Sequence, residues 1–218
     1  MIKILFDWNG TLLNDVEASY LCMTSLQREY GIPPLENIEA YRRIFGFPIR
    51  SYYEKAGFDF SKISWEKTGE EFMKDWLARY PRIGLNEQAL AVLKRAQNDG
   101  FACFILSATR LDLLKSQIAL HPGLKDLIDG VYGIGDIYAS SKEKAAREFR
   151  ASCLEWDEVF MIGDTLHDLE VARSIGAHCI LYDGGHQCRF TLDKSKAPVA
   201  ATLEEALERI EQYAGSHH

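Results

Sequence analysis

Short apolar runs alternate with segments of helical periodicity along most of the chain. Runs rich in β-branched and aromatic residues predict buried strands at 2–6, 101–106, near 131, 159–162 and 178–181. Apolar residues at spacings of three and four predict helices over 86–100, 111–120, 142–153, 166–175 and 203–213, the first of them capped by Asn86. Such an alternation is typical of a parallel sheet with helices on its faces. The predicted fold class is therefore α/β, with a Rossmann-like parallel sheet.

Residues 14–83 follow a different pattern. Helical spacing extends over 14–30, Pro33-Pro34 then breaks the chain, and the aromatic-rich remainder contains no strand-like run. We predict an all-helical unit whose aromatic side chains pack mainly against one another, rather than forming an aromatic cage for a ligand. The strand at 2–6 has no partner in this unit and must join the later sheet. The predicted domains are an α/β core at 1–13 and 84–218 and a helical insertion at 14–83.

The composition indicates a globular protein without a membrane span. Of the 218 residues, 47% are hydrophobic and 26% charged, and no apolar run is long enough to cross a bilayer. A net charge of -7 disfavours nucleic acid or an anionic membrane as the main partner. Five scattered cysteines without a C-x-x-C pair fit reduced core thiols better than a disulfide framework or a zinc site. We therefore expect a cytoplasmic protein.

A polar motif directly follows the first predicted strand. Residues 7–12 read Asp-Trp-Asn-Gly-Thr-Leu, and ligands of a parallel sheet bind beyond the carboxyl ends of its strands. Asn9-Gly10 is a strong turn signal, so the Asp7 carboxylate and the Asn9 carbonyl could face the same point. Taken alone, the motif favours a strand followed by a capped turn over a catalytic site.

Two later strands also end in residues suited to an anion or a metal. The first is followed by Ser-Ala-Thr-Arg at 107–110, whose hydroxyls and guanidinium could bind an anion, although Ser107 alone is better explained as a helix cap. The second is followed by Gly-Asp-Thr-Leu-His-Asp at 163–168. Its two carboxylates, four residues apart on one helical face, suit Mg²⁺. A helix-capping acid explains only one of them easily.

A lysine-bearing loop lies between these two motifs. Residues 140–144 read Ser-Ser-Lys-Glu-Lys and lead into a predicted helix. An isolated lysine in such a loop is ordinarily a solvated surface charge. A phosphate bound to Mg²⁺ needs a second counter-charge, however, and Lys142 could supply it.

In their order along the chain, these four motifs resemble those of the haloacid dehalogenase-like (HAD) superfamily of phosphatases and related phosphotransferases, of the phosphoglycolate phosphatase-like type. The resemblance covers the predicted α/β core, and residues 14–83 take the place of the family's helical cap. It implies that Asp7 attacks phosphorus and forms an aspartyl-phosphate. The implied Mg²⁺ ligands are Asp7, the Asn9 carbonyl and Asp164, with Asp168 orienting the metal site from a second layer.

The resemblance also implies how the phosphate is held. Lys142 and Ser107 would bind the transferring oxygens, with Lys144 as the second choice for the cation. Thr11 would steady the turn after the first strand. The implied phosphate- and substrate-binding residues in these motifs are Thr11, Ser107, Ala108 and Arg110.

Two further features could contribute to substrate binding. The stretch at 45–50, Phe-Gly-Phe-Pro-Ile-Arg, resembles the loop that related caps lower over their site, so Arg50 and Arg43 could meet an anionic substrate. Each arginine is otherwise an ordinary surface residue. His186 follows the fifth predicted strand and could contact a ligand, although a surface histidine on a turn is the favoured interpretation.

Asn9 departs from the family pattern. Family phosphatases usually carry here an aspartate that protonates the leaving oxygen and later deprotonates the attacking water. An amide keeps the backbone carbonyl for the metal but cannot exchange a proton, so a general acid-base contribution of about 10²–10⁴-fold is missing. Three interpretations follow: the substrate has a good leaving group, as in an acyl or aryl phosphate; another group such as His167 or His186 supplies the proton; or the chain is a weak or inactive relative.

The sequence thus favours a Mg²⁺-dependent phosphatase that acts on a small phosphorylated metabolite. The alternative is a module of the same fold that binds a phosphorylated ligand and is impaired in catalysis by Asn9. A dehalogenase is disfavoured, because a metal-free dehalogenase does not need the pair Asp164 and Asp168.

Overall fold

The computed structural model describes residues 1–135 and 142–216. Ser140 and Ser141 of the predicted lysine loop therefore lie outside the described residues, as do residues 217–218. Within the described part, six strands form one parallel sheet in the order β3-β2-β1-β4-β5-β6. The strands are β1 (Ile2–Phe6), β2 (Ala102–Arg110), β3 (Gly130–Ile134), β4 (Glu158–Gly163), β5 (His178–Tyr182) and β6 (Val199–Ala200). The predicted α/β fold class with a parallel sheet is confirmed.

Helices occupy most of the remaining described chain. The first four, in the helical insertion, are α1 (Val16–Glu29), α2 (Ile38–Ile44), α3 (Ile49–Lys55) and α4 (Trp65–Arg79). The later helices are α5 (Ala89–Asn98), α6 (Leu111–Ile118), α7 (Lys142–Ala151), α8 (Leu166–Ser174), α9 (Arg189–Leu192) and α10 (Leu203–Ser216). Short 3₁₀ turns lie at Tyr80–Arg82, Lys125–Leu127 and Asp193–Ser195.

The central strand β1 shows how helices come to cover both faces of the sheet. Successive side chains of a strand point to opposite faces. Accordingly, Ile4 and Phe6 lie in an apolar cluster with α5 and α10, whereas Leu5 lies in a second cluster with α7 and α8. All three side chains are fully buried. A strand that is buried on both faces consists of a nearly continuous run of apolar residues, and residues 2–6 form such a run.

The helical insertion has an apolar cluster of its own. Tyr41, Tyr52, Tyr53 and Phe58 are buried there together with Met23 of α1. The segments that lead into and out of the insertion lie side by side. Leu13 forms an antiparallel bridge with Leu85, and the backbone N–H of Asn14 donates to the carbonyl of Gly84 at 3.0 Å. The pairing lies next to residues 13 and 84, where the sequence analysis divides the core from the insertion.

Some local features of the structure differ from the sequence analysis. Strand β2 continues past residue 106 to Arg110, with a shift of its register against β3. Helix α5 begins at Ala89 rather than Asn86, because the Asn86 side chain accepts a hydrogen bond from the backbone N–H of Gln88 and forms a turn before the helix. The two-residue strand β6 was not predicted, since it is too short to produce a periodic signal.

No helix in the described ranges is long and apolar enough to cross a membrane. All five cysteines have free thiols, and all except Cys153 are buried. The burial of these four thiols is what core cysteines would show.

We expect Asp157→Asn to destabilise the fold by about 1–3 kcal/mol at pH 7. The buried Asp157 carboxylate accepts from the Lys3 ammonium at 2.9 Å and from the backbone N–H of Leu154 at 2.8 Å. The Lys3 hydrogen bond lowers the pKa of Asp157. The carboxylate's contribution is thus full above its usual pKa of 3.8 and disappears as the pH falls through the lower folded-state pKa.

The measurement is urea unfolding of wild type and variant between pH 3 and 7, with the exposed Asp126→Asn as the matched control. The stability difference between wild type and variant should shrink at the acidic end. A difference that stays constant with pH would contradict the ionic contribution of Asp157.

Candidate active site

The turn after β1 carries the Asp7 carboxylate to the edge of the sheet. The backbone N–H of Asp7 still donates to the carbonyl of Ile162 at 2.8 Å, which extends the pairing of β1 with β4. Gly10 then adopts a φ of +74°, and a Cβ atom at this position would lie 2.3 Å from the Asp164 carboxylate. Only glycine permits so close an approach with this backbone conformation. The turn after β1 is therefore in close contact with the residue that follows β4.

Three buried carboxylates meet at this edge. Oxygen atoms of Asp7, Asp164 and Asp168 lie within 4.8 Å of one another. The buried Lys142 ammonium lies 2.5 Å from Asp7 Oδ1 and 2.5 Å from Asp168 Oδ1. Lys144, the second choice for the cation, is exposed. The structure thus brings together the nucleophile candidate, the lysine and both predicted metal-site aspartates.

The electrostatics of this cluster favour a bound cation. Burial and the neighbouring carboxylates raise the pKa of Asp7 well above its usual range, although Lys142 opposes this shift. Burial also raises the pKa of Asp164 to about 6. For Lys142, the carboxylates of Asp168 and Asp7 outweigh burial and raise its pKa. One ammonium among three carboxylates leaves excess negative charge, and such a set of hard oxygen donors fits a Mg²⁺ ion.

Asp168 has most of its hydrogen-bonding capacity committed within the protein. Its Oδ2 accepts from the Thr165 backbone N–H at 2.9 Å and from the Thr165 hydroxyl at 2.7 Å, while Oδ1 receives the Lys142 ammonium. Burial raises the pKa of Asp168, but Lys142 and Thr165 lower it overall. The helix-cap interpretation therefore describes part of what Asp168 does, at the start of α8. Its other role is to fix Lys142 beside Asp7.

Asn9 is held at both ends of its amide. Its Nδ2 donates to Asp15 Oδ2 at 2.9 Å, and its Oδ1 accepts from the Thr109 hydroxyl at 3.1 Å. Asp15 in turn accepts from the backbone N–H of Gly10 at 2.7 Å. The amide thus ties the turn after β1 to the end of β2 and to the first residues of the insertion.

His186 is buried, so the favoured surface interpretation is wrong. One ring nitrogen lies 2.7 Å from the Tyr41 hydroxyl, the other lies 3.2 Å from Asp15 Oδ1, and the His186 backbone N–H donates to Asp164. Burial lowers the pKa of His186, but Asp15 raises it to about 9 overall. The sequence signal was the glycine pair that precedes His186. The structure explains Gly185, because a Cβ atom there would lie 2.2 Å from Asp164 Oδ2.

The predicted phosphate-binding segment is only partly at the site. Thr11 is buried, and its hydroxyl donates to Asp164 Oδ1 at 3.4 Å. Ser107 and Ala108 line the cavity described below. The Ser107 hydroxyl accepts from the Thr109 backbone N–H within β2, so Ser107 is not a helix cap.

The predicted arginines lie elsewhere. Arg110 is exposed and pairs with Asp112, and Arg50 is exposed and pairs with Glu54 at 3.3 Å. Neither of them lines the cavity, and Arg43 is exposed as well.

Arg42 connects the insertion to the core and was missed by the sequence analysis. Its guanidinium donates to the backbone carbonyls of Asp183, Gly185 and Gln187, in the loop after β5. The adjacent Cys188 backbone N–H donates to the Arg42 carbonyl at 3.2 Å. These contacts hold α2 against the loop that carries His186.

A cavity of about 360 Å³ opens above Asp7 and Lys142. Its floor is polar and includes the carboxylate cluster, Asn9 and Thr109. The cavity is also lined by aromatic side chains of the insertion. We refer to six of them as the aromatic wall: Phe45, Phe47, Tyr52, Trp65, Phe72 and Trp76. The predicted aromatic core of the insertion is thus also one side of a cavity.

Comparisons with known proteins agree with this architecture. A family model described as haloacid dehalogenase-like hydrolase matches residues 4–182. A relative named "Putative pyrophosphatase PpaX", from Caldanaerobacter subterraneus subsp. tengcongensis, is 26% identical over 188 residues, which cover 81% of this chain and 79% of the relative.

Solved structures share the fold at low sequence identity. A "predicted phosphatase" from Clostridium acetobutylicum superposes with a TM-score of 0.76 at 20% identity, covering 96% of this chain and 98% of that one. A "putative phosphoglycolate phosphatase" from Lactobacillus delbrueckii subsp. bulgaricus gives a TM-score of 0.75 at 15% identity, covering 95% and 97%.

Proposed function

The chain belongs to the haloacid dehalogenase-like hydrolase family, and we propose that it is a Mg²⁺-dependent phosphatase of the cytoplasm that hydrolyses a small phosphorylated metabolite through an aspartyl-phosphate on Asp7. The observation that carries this proposal is the Asp7 carboxylate, 2.5 Å from the Lys142 ammonium on the floor of the cavity. Names given to similar proteins, a pyrophosphatase and a phosphoglycolate phosphatase, add support because both describe cleavage of a bond to phosphorus.

We infer that the metal is held by residues that directly follow β1 and β4. Asp7, Asp164 and the Asn9 backbone carbonyl would hold Mg²⁺, whose charge neutralises the phosphoryl oxygens when it is bound. Asp168 supports this arrangement through Lys142 and Thr165. The Thr11 hydroxyl on Asp164 helps to orient that carboxylate.

In the first half-reaction, a carboxylate oxygen of Asp7 forms a bond to phosphorus on the side opposite the leaving oxygen. The bond between phosphorus and the leaving oxygen breaks, and its electron pair stays on that oxygen. Lys142 and Ser107 hold the phosphoryl oxygens during the transfer, so that charge neutralisation and positioning account for most of the rate.

In the second half-reaction, water attacks phosphorus and the bond to Asp7 breaks. Asp7 returns to the carboxylate form, inorganic phosphate is released, and the proton lost by water balances the negative charge that departed with the leaving oxygen. The Asn9 side chain takes no proton in either half. Its two hydrogen bonds, to Asp15 and Thr109, hold residue 9 and therefore its backbone carbonyl in place.

The test is phosphate release from 4-nitrophenyl phosphate by the purified protein. We expect turnover in the presence of Mg²⁺, and a fall of at least about tenfold when the metal is removed with a chelator, because the excess negative charge of the floor then repels the phosphate. Restoring Mg²⁺ should restore the rate.

The alternative is a domain that binds a phosphorylated ligand without turning it over, because the Asn9 amide cannot exchange a proton. Undetectable phosphate release in Mg²⁺, together with saturable binding of a phosphonate analogue, would establish that alternative and overturn the phosphatase.

A further inference from the structure

Resting on the proposed function, we propose that the physiological substrate is an aryl phosphate, in which the phosphate is esterified to an uncharged aromatic hydroxyl group that departs as an aryloxide without being protonated. Two independent features carry this inference. One is the surface that faces the phosphate site, and the other is the hydrogen bonding of Asn9.

The aromatic wall selects for an apolar, planar group. It lines the same cavity as Asp7 and Lys142, so a substrate whose phosphate reaches the floor places its leaving group near these rings. Tyr52 and Trp76 are buried, and the apolar side chains of Ile49 and Met73 also line the cavity. Aromatic groups bind such a surface by offset or edge-to-face contacts as well as by loss of exposed apolar area.

Among the described residues, the cavity offers a charged leaving group no cation that lacks a carboxylate partner. The His186 ring also lines it, but that ring is paired with Asp15 at 3.2 Å. Lys142 is the only lysine or arginine among the described residues that line the cavity, and the undescribed residues 136–141 contain neither type in the sequence. The Lys142 charge is already shared between Asp7 and Asp168. A substrate with a carboxylate or a second phosphate would therefore bury an unpaired charge against the aromatic wall.

The Asn9 side chain cannot protonate the oxygen of the leaving group. Both polar ends of its amide are hydrogen-bonded within the protein, and an amide does not give up a proton. The two ring nitrogens of His186 are engaged by Tyr41 and Asp15. The His167 ring packs against Phe47, with its Nδ1 3.5 Å from Glu170. The Asn9 amide and the His186 ring are thus committed within the protein, and His167, which also lines the cavity, packs against an aromatic ring.

An aryl ester resolves this difficulty. As the Asp7–phosphorus bond forms and the phosphorus–oxygen bond of the ester breaks, the electron pair remains on the aryl oxygen and is delocalised over the ring. The aryloxide then takes a proton from water after it has left. An alkyl ester would expel a much more basic alkoxide, which requires an acid in the site. A cavity of about 360 Å³ has room for a phosphate with one or two rings.

The first test compares four phosphates that separate leaving-group acidity from aromatic character. They are 1-naphthyl phosphate, acetyl phosphate, 2-(1-naphthyl)ethyl phosphate and 2-phosphoglycolate. We expect kcat/KM for 1-naphthyl phosphate to exceed that for 2-phosphoglycolate by at least about 100-fold. Acetyl phosphate should differ from 1-naphthyl phosphate mainly in a higher KM, and naphthylethyl phosphate mainly in a lower kcat. Comparable kcat/KM values for 2-phosphoglycolate and 1-naphthyl phosphate would overturn the inference.

The second test narrows the aromatic side of the cavity. Gly69 of α4 lines the cavity, and a Cβ atom there would meet nothing within 4 Å. Gly69→Leu should raise the KM for 1-naphthyl phosphate by about tenfold relative to that for acetyl phosphate. The neighbouring exposed residue provides the matched control, Glu70→Leu, which should leave both constants unchanged. An equal effect of Gly69→Leu on the two substrates would contradict binding of the leaving group against the aromatic wall.

The third test does not depend on turnover. In Mg²⁺ buffer, 1-naphthylmethylphosphonate should bind at least about tenfold more tightly than phosphonoacetate, measured by quenching of the fluorescence of Trp65 and Trp76 or by calorimetry. This preference without hydrolysis of any substrate would overturn the phosphatase but retain the ligand class. Hydrolysis of acetyl phosphate or 2-phosphoglycolate with no aryl preference would retain the phosphatase and overturn the ligand class. Absence of both would overturn both.

Discussion

Replacing Asp7 by asparagine is expected to lower kcat for phosphate release by at least about 10⁴-fold. The amide oxygen that would take the place of the carboxylate is a weak nucleophile, and the variant cannot form the aspartyl-phosphate. The change also removes one of the two carboxylates that contact the Lys142 ammonium. The other contact, with Asp168, remains. The side chain retains its size, so the packing around the end of β1 should be preserved. The measurement is single-turnover and steady-state phosphate release from 1-naphthyl phosphate.

Two controls show whether the loss of turnover in Asp7→Asn is due to the missing nucleophile. The exposed Asp126→Asn makes the same chemical change far from the cavity and should leave kcat unaltered. Intact-mass measurement after rapid acid quenching should detect a phosphorylated wild-type chain and no phosphorylated Asp7→Asn chain. A variant that retains more than about a hundredth of wild-type turnover would show that Asp7 is not the nucleophile.

Asn9→Asp should have the opposite effect, and only for poor leaving groups. A carboxyl group at this position would lie beside Asp15, because the present amide donates to Asp15 Oδ2 at 2.9 Å. The Asp15 carboxylate and the buried surroundings would favour the protonated form of the new group, which is the form that a general acid requires. We expect kcat for 2-(1-naphthyl)ethyl phosphate to rise by about 10²–10⁴-fold.

The comparison with 1-naphthyl phosphate decides whether proton transfer is the cause. An aryloxide gains little from an acid, so kcat for this substrate should change by less than about threefold. Asn9→Ala serves as the matched variant that loses the amide hydrogen bonds without adding an acid, and it should improve neither substrate. An equal increase in kcat for both substrates, or no increase for the alkyl ester, would show that Asn9 does not determine which leaving groups the protein accepts.

The sequence analysis located the strand-end chemistry because of a property of parallel sheets. Strands β1, β2 and β4 are far apart in the chain, but their carboxyl ends meet at one edge. A polar residue directly after each apolar run is therefore near the others whatever the intervening length, and Asp7, Ser107 and Asp164 follow this rule. Lys142 could be placed only through the family resemblance, because a loop lysine has no periodic or positional signal of its own.

The contacts between the insertion and the core could not be predicted in the same way. Tyr41 and His186 are 145 residues apart, and nothing in the periodicity of α2 indicates that its tyrosine meets a loop after β5. The positions of Arg50 and Arg110 away from the cavity have a local cause. Glu54 and Asp112 stand four and two residues away and take up the two guanidinium groups. A search for nearby acids would have flagged the Arg50 pair, since a spacing of four brings two side chains together on a helix.

The pairing of Leu13 with Leu85 has a consequence for how such a protein diversifies. Because the chain leaves the sheet and returns to it at adjacent points, everything between them can be lengthened, shortened or exchanged without moving a strand. Asp15 and the aromatic wall both belong to this exchangeable stretch, whereas Asp7, Lys142 and Asp164 do not. Evolution can therefore conserve the reaction in one part of the chain and change the range of accepted substrates in another.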